Sequence, residues 1–337
     1  MIVHLVVDGV MEGALGLGLD VIDTAARLAR AGRAGRGLGA RTLTQRVVSP
    51  DGRPVRSVQG RAIAVEGAFD LRTLKRNDVL VLPGIFATRD EAIERLLARP
   101  EVRRVVAALP RAAGRGAVVA ASCSATFLVA AAGLLERRTA TTTWWLLPSF
   151  ARRHPAVTLR ADRMVVDGGG VLTAGSAFAH ADLMLAVVAR VAGPALADLV
   201  ARYLVLDARP SQSQYMVLAH LQSLDPLLGA LEAFITANLT RQVTLADLGR
   251  AVGVSPRTLA RRVELGLGLT PQRFVQRLRV AHAAHLLETT RLSIDEIAAR
   301  VGYADPAAFR RAFHRHVGTA PGAHRRHDHP GRHPNLD

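Results

Sequence analysis

The chain has 337 residues, enough for two domains, and 49% of them are hydrophobic, so each domain can bury a core. Its single cysteine, Cys123, excludes an intramolecular disulfide. No uncharged apolar run reaches the ~18 residues of a membrane helix. No signal-peptide pattern opens the chain, so we expect a cytoplasmic protein without membrane contact.

The net charge of +16 is compatible with an anionic partner such as nucleic acid. The charge does not locate that partner, because the last 113 residues, from Asp225 on, hold 16 arginines and 10 acidic residues. Lys75 is the only lysine, and such a bias toward arginine also arises from a GC-rich genome. Charge therefore permits DNA binding without identifying where it occurs.

The first two-thirds of the chain alternates short apolar runs with helical patterns. The strand patterns are residues 1–7, 78–84 and 117–122, and the helical patterns are residues 15–30, 127–135 and 179–191. A hairpin is predicted at 165–176, around three consecutive glycines. Strands separated by helices pair in parallel, so we predict an α/β domain, a flavodoxin-like parallel sheet with helices on both faces.

Cys123 lies where a predicted strand turns directly into a helix. Such a position presents a side chain at the carboxyl edge of the sheet, and the helix N-terminus lowers a thiol pKa there. This is the arrangement of a nucleophile elbow. The alternative is a small, buried and inert cysteine, which is the more frequent role of a lone cysteine.

Residues 122–135, followed by 138–145, resemble the PfpI-like class of the glutamine amidotransferase-like superfamily, and are most similar to the amidase-like domain of GlxA-type regulators. That family carries T-T-H-W-W where this chain has Thr-Thr-Thr-Trp-Trp, so Thr143 replaces the histidine that could pair with Cys123. The family's acidic residue in the first helix falls on Ala14, and Glu12 is out of register. His154 and His180 remain as alternative bases.

The resemblance therefore implies a domain that is not an enzyme, in which Cys123 is vestigial. We expect a ligand pocket for a small-molecule effector around Cys123, Thr143 and Ala14, with no cofactor and no metal. The rival hypothesis is a PfpI-like thiol hydrolase or amidase fused to a DNA-binding domain. The resemblance also implies a homodimer.

The segment that follows is polar and interrupts the apolar periodicity. We interpret residues 205–214 as exposed and 205–223 as a linker, which gives domains at 1–204 and 224–326. Residues 327–337 are predicted to be a disordered tail. Its histidines could suggest a metal site, but Pro330, Gly331 and Pro334 would break any fixed ligand geometry.

The last third contains an internal repeat, which is more specific than a single motif. In the first copy, Thr244 and Asp247 form a capping-box pattern, Gly253 marks a turn, and Ser255 caps a second helix that begins at Pro256. The second copy repeats this order with an offset of 49 residues before the turn and 50 after it. Its corresponding residues are Ser293, Glu296, Gly302, Asp305 and Pro306. The pattern predicts an all-α domain with two helix-turn-helix units.

About 100 residues of this region closely resemble the AraC family of regulators, including Leu259, Ile297-Ala298, Gly302-Tyr303 and Phe309 at the family's spacing. A long helix predicted from Pro271 to Leu287 separates the two units. Such a helix holds them about one DNA turn apart, roughly 34 Å, so we expect binding to double-stranded DNA in two successive major grooves.

Helix geometry separates the residues of the recognition helices that face the core from those that face outward. Leu259 and Val263 are four residues apart and face the core, so the arginines beside them face outward. The family's base contacts map to Arg257 and Arg261, and arginine suits bidentate binding to guanine. In the second unit the early positions are Pro306 and Ala307, which offer only apolar contacts. The remaining DNA-binding candidates, which contact bases or only phosphates, are Thr258, Arg262, Arg310 and Arg311.

Overall fold

The computed structural model describes residues 1–337 except 33–42, 161–162, 208, 210–211, 213–224, 268, 318 and 328–337. The chain divides into two compact units, 1–216 and 217–337. Nearly all of the predicted tail and most of the predicted linker lie outside the described residues. No described helix is long and apolar enough to cross a membrane.

The first unit alternates strands and helices, as its apolar pattern predicts. Its strands are β1 (Ile2–Leu5), β2 (Gln45–Val48), β3 (Val55–Arg56), β4 (Ala62–Ile63), β5 (Val79–Leu82), β6 (Val118–Ser122), β7 (Thr139–Ala140), β8 (Thr158–Leu159), β9 (Val165–Asp167) and β10 (Val171–Ala174). Its helices are α1 (Glu12–Arg30), α2 (Asp90–Ala98), α3 (Pro100–Gly114), α4 (Thr126–Ala131), α5 (Leu147–Arg153), α6 (Ala179–Ala192) and α7 (Pro194–Tyr203).

Six strands form the main sheet in the order β2-β1-β5-β6-β10-β9. The first five are parallel, and β9 pairs with β10 as an antiparallel hairpin. Counted among the parallel strands alone, this is the 2-1-3-4-5 order of flavodoxin-like folds. The predicted fold class and the predicted hairpin are confirmed.

Alternate residues of each central strand enter two separate cores. In β5, Leu80 and Leu82 pack with α2 and α3 on one face, whereas Val79 and Val81 pack with α1 and α6 on the other. Both faces of the sheet are therefore covered, which explains why these strands read as continuous apolar runs.

One expectation about local structure is wrong, and a second is wrong for part of its segment. The helix expected at 127–135 ends at Ala131, because Gly133 adopts φ +75° and reverses the chain. Of the segment expected to be exposed at 205–214, Val205 is 88% exposed, whereas Gln212 is only 1% exposed and Arg209 pairs with Asp182 at 2.5 Å. Arg209 and Gln212 are therefore held by contacts with the first unit.

The second unit is all helical in the residues described. Its helices are α8 (Pro226–Ala237), α9 (Leu245–Ala251), α10 (Pro256–Leu267), α11 (Pro271–Thr289), α12 (Ile294–Arg300), α13 (Pro306–Val317) and α14 (Pro321–His327). Helices α9 and α10 form one helix-turn-helix unit, and α12 and α13 form the other. The predicted core residues Leu259 and Val263 are fully buried.

The predicted caps are present in both units. Thr244 with Asp247, and Ser293 with Glu296, form reciprocal capping boxes at the starts of α9 and α12. Ser255 accepts the Thr258 amide at 3.2 Å, and Asp305 accepts the amides of Ala307 and Ala308. Each helix start is therefore set by the sequence next to it.

The turns of the two units differ in their surroundings although Gly253 and Gly302 both have positive φ, +70° and +84°. A Cβ on Gly253 would enter open space. A Cβ on Gly302 would overlap the carbonyl oxygen of Leu239 and lie 2.9 Å from the Arg279 guanidinium. Arg279 in turn donates to the Arg241 carbonyl at 2.8 Å. The turn at Gly302 is therefore packed against the segment that precedes the first helix-turn-helix.

We expect Gly302→Ala to destabilise the helical unit, residues 217–337, much more than Gly253→Ala does. Gly253→Ala should lower the free energy of unfolding by about 1 kcal/mol, because alanine is strained in a left-handed conformation. Gly302→Ala has the same strain and must also displace the Leu239 backbone, so the loss should be about 3 kcal/mol or more. Urea unfolding of both variants, followed by hydrogen exchange in α11 to α13, measures the difference. Equal losses would show that the contact at Leu239 contributes nothing.

Candidate functional site

The elbow of the first unit is centred on Cys123, directly after β6. Cys123 has φ +56°, a left-handed conformation that costs energy for any residue with a side chain. Its N–H donates to the Gly175 carbonyl at 2.8 Å, which joins the elbow to the end of β10. Gly84, after β5, leaves room for it, since a Cβ there would lie 3.2 Å from the Cys123 Cβ. The chain thus maintains a strained turn at this edge of the sheet.

Burial dominates the chemistry of the thiol. The Cys123 side chain is fully buried, and burial raises its pKa above the ordinary cysteine value. Hydrogen bonds from the Ser124 backbone, the Thr143 hydroxyl and the Ser124 hydroxyl act in the opposite direction and lower it. In the described part of the chain, neither a histidine nor a carboxylate contributes to this pKa. The net result is a thiol that stays protonated at neutral pH.

The two candidate bases, His180 and His154, contact groups other than the Cys123 thiol. His180 is fully buried, its Nδ1 lies 2.9 Å from the Ser122 hydroxyl, and burial lowers its pKa to about 3. His154 packs against the Phe150 ring at 4.9 Å between centroids, and burial lowers its pKa as well. Both imidazoles are therefore neutral, and the contacts they make are with Ser122 and with aromatic rings.

The three pocket residues predicted from the sequence are all buried. Thr143 reaches Cys123 through its hydroxyl and also contacts the Ser176 hydroxyl at 3.2 Å. Ala14 lies in the first turn of α1 and offers only a methyl group, while Glu12 beside it pairs with Arg61 at 2.8 Å. The structure thus links Thr143 to the thiol and gives Glu12 another partner.

A polar cluster beside the elbow was missed by the sequence reasoning. Thr141 and Thr142 are fully buried, and both contact the side-chain amide of Gln212. Thr142 also donates from its hydroxyl to the Cys123 carbonyl at 2.9 Å. The run of threonines in the sequence could have indicated buried hydroxyl groups. Nothing in the sequence around Gln212, seventy residues away, indicated that this residue would contact them.

The second candidate site is the exposed face of α10 and α13. Arg257 and Arg261 are exposed on α10 and make no ion pair among the described residues. Thr258 lies 3.0 Å from the Ser255 hydroxyl and belongs to the helix cap. Arg262 is half-buried, and its guanidinium lies 2.6 Å from Asp225, the N-cap of α8. The four residues predicted to bind DNA in this helix therefore divide into two free cations and two residues with internal partners.

The two candidate arginines of α13, Arg310 and Arg311, are exposed and have carboxylate partners. Arg310 lies 2.9 Å from Asp295, and Arg311 lies 3.6 Å from Asp305. With the 50-residue offset, Arg311 corresponds to Arg261, and Ala307 corresponds to Arg257. Exposed pairs of this kind are weak and exchange with other anions. The 19 residues of α11 between the two units give it a length of about 28 Å.

Comparisons with known families match both units. Residues 19–190 match the DJ-1/PfpI family, and residues 248–327 match a helix-turn-helix domain. The chain is similar to the HTH-type transcriptional regulator GlxA of Rhizobium meliloti (strain 1021), with 34% identity over 185 residues, 53% of this chain and 56% of that protein. It is also similar to the HTH-type transcriptional activator RhaS of Enterobacter sp. (strain 638), with 35% identity over 101 residues, 30% of this chain and 36% of that protein. The matched segments thus span about half, or less, of these relatives.

Among solved structures, the chain resembles a candidate transcriptional regulator from Vibrio parahaemolyticus, with a TM-score of 0.50 and 20% identity over 60% of this chain and 97% of that one. This likeness supports the fold of the first unit. An AraC family transcriptional regulator from Pseudomonas putida aligns with a TM-score of 0.49 and 22% identity, over 60% of this chain and 98% of that one.

Because burial raises the pKa of Cys123, we expect its thiolate to form at a higher pH in the native chain than in the unfolded chain. The buried thiol is closed to alkylating reagents, so the measurement is the ultraviolet absorbance of the thiolate, taken as the difference between the parent chain and Cys123→Ser. This absorbance should rise at a higher pH in buffer than in urea. A native midpoint at or below the urea value would show an activated thiol.

Proposed function

Because the chain belongs to the DJ-1/PfpI family and carries a helix-turn-helix domain in its second unit, we propose that it is a sequence-specific DNA-binding transcriptional regulator. Its first unit serves as a non-catalytic sensor for a small molecule. The observation that carries the proposal is the repeated helix-turn-helix, in which both recognition helices have a buried apolar face and an exposed arginine face.

The exposed arginines support DNA as the partner of the second unit. Arg257 and Arg261 are one helical turn apart on α10 and have no internal partner among the described residues, so both are available to base edges. In α13, Arg310 and Arg311 exchange their carboxylate partners for phosphates or bases when DNA is present. We therefore propose that α10 reads more of the sequence and that α13 contributes more contacts to the backbone.

Two features of the elbow support sensing over catalysis. The Cys123 thiol has a raised pKa, and Thr143 occupies the position where the related motif carries histidine. We therefore propose that the region around Cys123, Thr143 and Ala14 binds an effector rather than turning over a substrate. We also propose that the protein acts in the cytoplasm, where its DNA lies, and that it is a homodimer.

The strained backbone at Cys123 favours a second candidate function, a thiol hydrolase or amidase fused to a DNA-binding domain. The two hypotheses differ in one assay. We expect the purified chain to release no product from ester or amide substrates above the rate of its Cys123→Ser variant. Thiol-dependent hydrolysis that Cys123→Ser abolishes would establish the enzyme instead.

Arg261→Ala and Arg262→Ala form a matched pair for the DNA interface. Arg261→Ala should weaken discrimination at one base pair by about 1–3 kcal/mol, because a bidentate contact to guanine is lost. Arg262→Ala should lower the melting temperature, because Asp225 loses its partner, and should leave base discrimination unchanged. Binding to duplexes selected from random sequence measures both effects.

If Arg261→Ala weakens DNA binding equally on all sequences, Arg261 contacts phosphate rather than a base. Loss of base discrimination in Arg262→Ala, at unchanged stability, would reverse the assignment of the two arginines.

A further inference from the structure

The strongest unassigned feature of the first unit is a buried amide site next to the elbow. The Gln212 side chain, 1% exposed, donates from Nε2 to the Thr142 carbonyl at 2.9 Å and to the Thr141 hydroxyl at 3.1 Å. A carbonyl oxygen can only accept a hydrogen bond, so the amide nitrogen must face Thr142. The orientation of the Gln212 amide is therefore fixed by its partners.

The other side of this site is shaped by a glycine. A Cβ on Gly175 would lie 2.5 Å from the Gln212 Oε1 and 2.9 Å from its Cδ. The amide thus packs flat against the Gly175 backbone, which no other residue at that position would allow. Its Oε1 is buried and has no hydrogen-bond partner among the described residues. A buried carbonyl without a partner costs free energy, so Gln212 fills this site at less than full complementarity.

The donors and acceptors of the site favour a group with two N–H donors, as in the Gln212 amide, and exclude a carboxylate. The Thr141 hydroxyl directs its own hydrogen to the Arg163 carbonyl at 3.4 Å, which leaves its oxygen as an acceptor. The site therefore presents two acceptors, the Thr141 Oγ1 and the Thr142 carbonyl, to an incoming NH₂ group. A neutral primary amide satisfies both, whereas a carboxylate would place oxygen against oxygen.

The site is connected to the elbow and to the end of the first unit. Thr142 and Gly175, which contact Gln212, also bond to the Cys123 carbonyl and amide. Gln212 itself lies four residues before position 216, where the first unit ends. A change in the occupancy of the site therefore changes groups that hold the elbow at Cys123 as well as the contacts of Gln212.

We propose that this site recognises a primary carboxamide, which Gln212 supplies in the unliganded chain and which a small amide effector supplies in its place. Displacement of Gln212 then breaks its contacts with Thr141 and Thr142, and we propose that this change is the regulatory signal. The regulatory half of this proposal rests on the proposed function, whereas amide binding does not.

Acetamide is the matched probe, because Gln212→Ala removes the four heavy atoms that acetamide contains. Acetate has the same shape and is the matched negative control. In ligand-observed NMR titrations of the full chain, we expect Gln212→Ala to bind acetamide about tenfold more tightly than the parent chain, since two hydrogen bonds become available. Acetate should bind neither protein.

Two glycine variants control for effects on folding. Gly175→Ala places a methyl group where the amide packs, so the double variant Gln212→Ala/Gly175→Ala should lose the acetamide binding that Gln212→Ala gains. Gly16→Ala places its methyl group in open space on α1, so adding it to Gln212→Ala should change nothing. Melting curves of all variants verify that each is folded.

The outcomes separate this proposal from the proposed function. Equal acetamide affinity in Gln212→Ala and the parent chain, or acetate binding as tight as acetamide binding, overturns the amide site whatever the DNA result. Gln212→Ala breaks the same contacts that the effector breaks, so by itself it should change the affinity for DNA selected from random duplexes severalfold relative to the parent chain. Acetamide binding with unchanged DNA affinity keeps the amide site and overturns its regulatory role. Absence of DNA binding in every protein counts against the proposed function alone.

Discussion

The second unit depends on the close approach of two backbone segments at Gly302. The turn between α12 and α13 is left-handed there, and it passes so near the Leu239 carbonyl that no side chain fits. Arg279, from the middle of α11, contacts the same turn and the Arg241 carbonyl, so one helix joins both helix-turn-helix units. The separation and orientation of the two recognition helices follow from this packed junction, and DNA recognition requires that both be fixed.

The first unit shows how a strained elbow can persist without activated chemistry. Cys123 keeps its left-handed backbone, and hydroxyl groups surround it in place of an acid–base pair. Thr142 and Gly175 connect the elbow to the amide of Gln212, so the polar residues at this edge form one hydrogen-bonded group. This arrangement supports the proposal of binding rather than catalysis, because among the described residues only hydroxyl and backbone groups act on the pKa of the Cys123 thiol.

Local features could be predicted from the sequence, and contacts between distant residues could not. The parallel sheet, the capping boxes at Thr244 and Ser293, and the turn glycines follow from periodicity and from neighbours within a few residues. The burial of Gln212 and the Arg262–Asp225 pair depend on partners far along the chain, about which a local pattern carries no information. The helix from Thr126 stops early for a local reason, since Gly133 could have been read as a stop signal.

We propose that the two helix-turn-helix units read successive major grooves of one duplex. Hydroxyl-radical and methylation footprinting of the full chain, on duplexes selected from random sequence, tests it most directly. We expect two protected segments on one face of the DNA, their centres about ten base pairs apart, with the stronger base contacts in one of them. A single protected segment, or uniform protection without sequence preference at moderate salt, would contradict it.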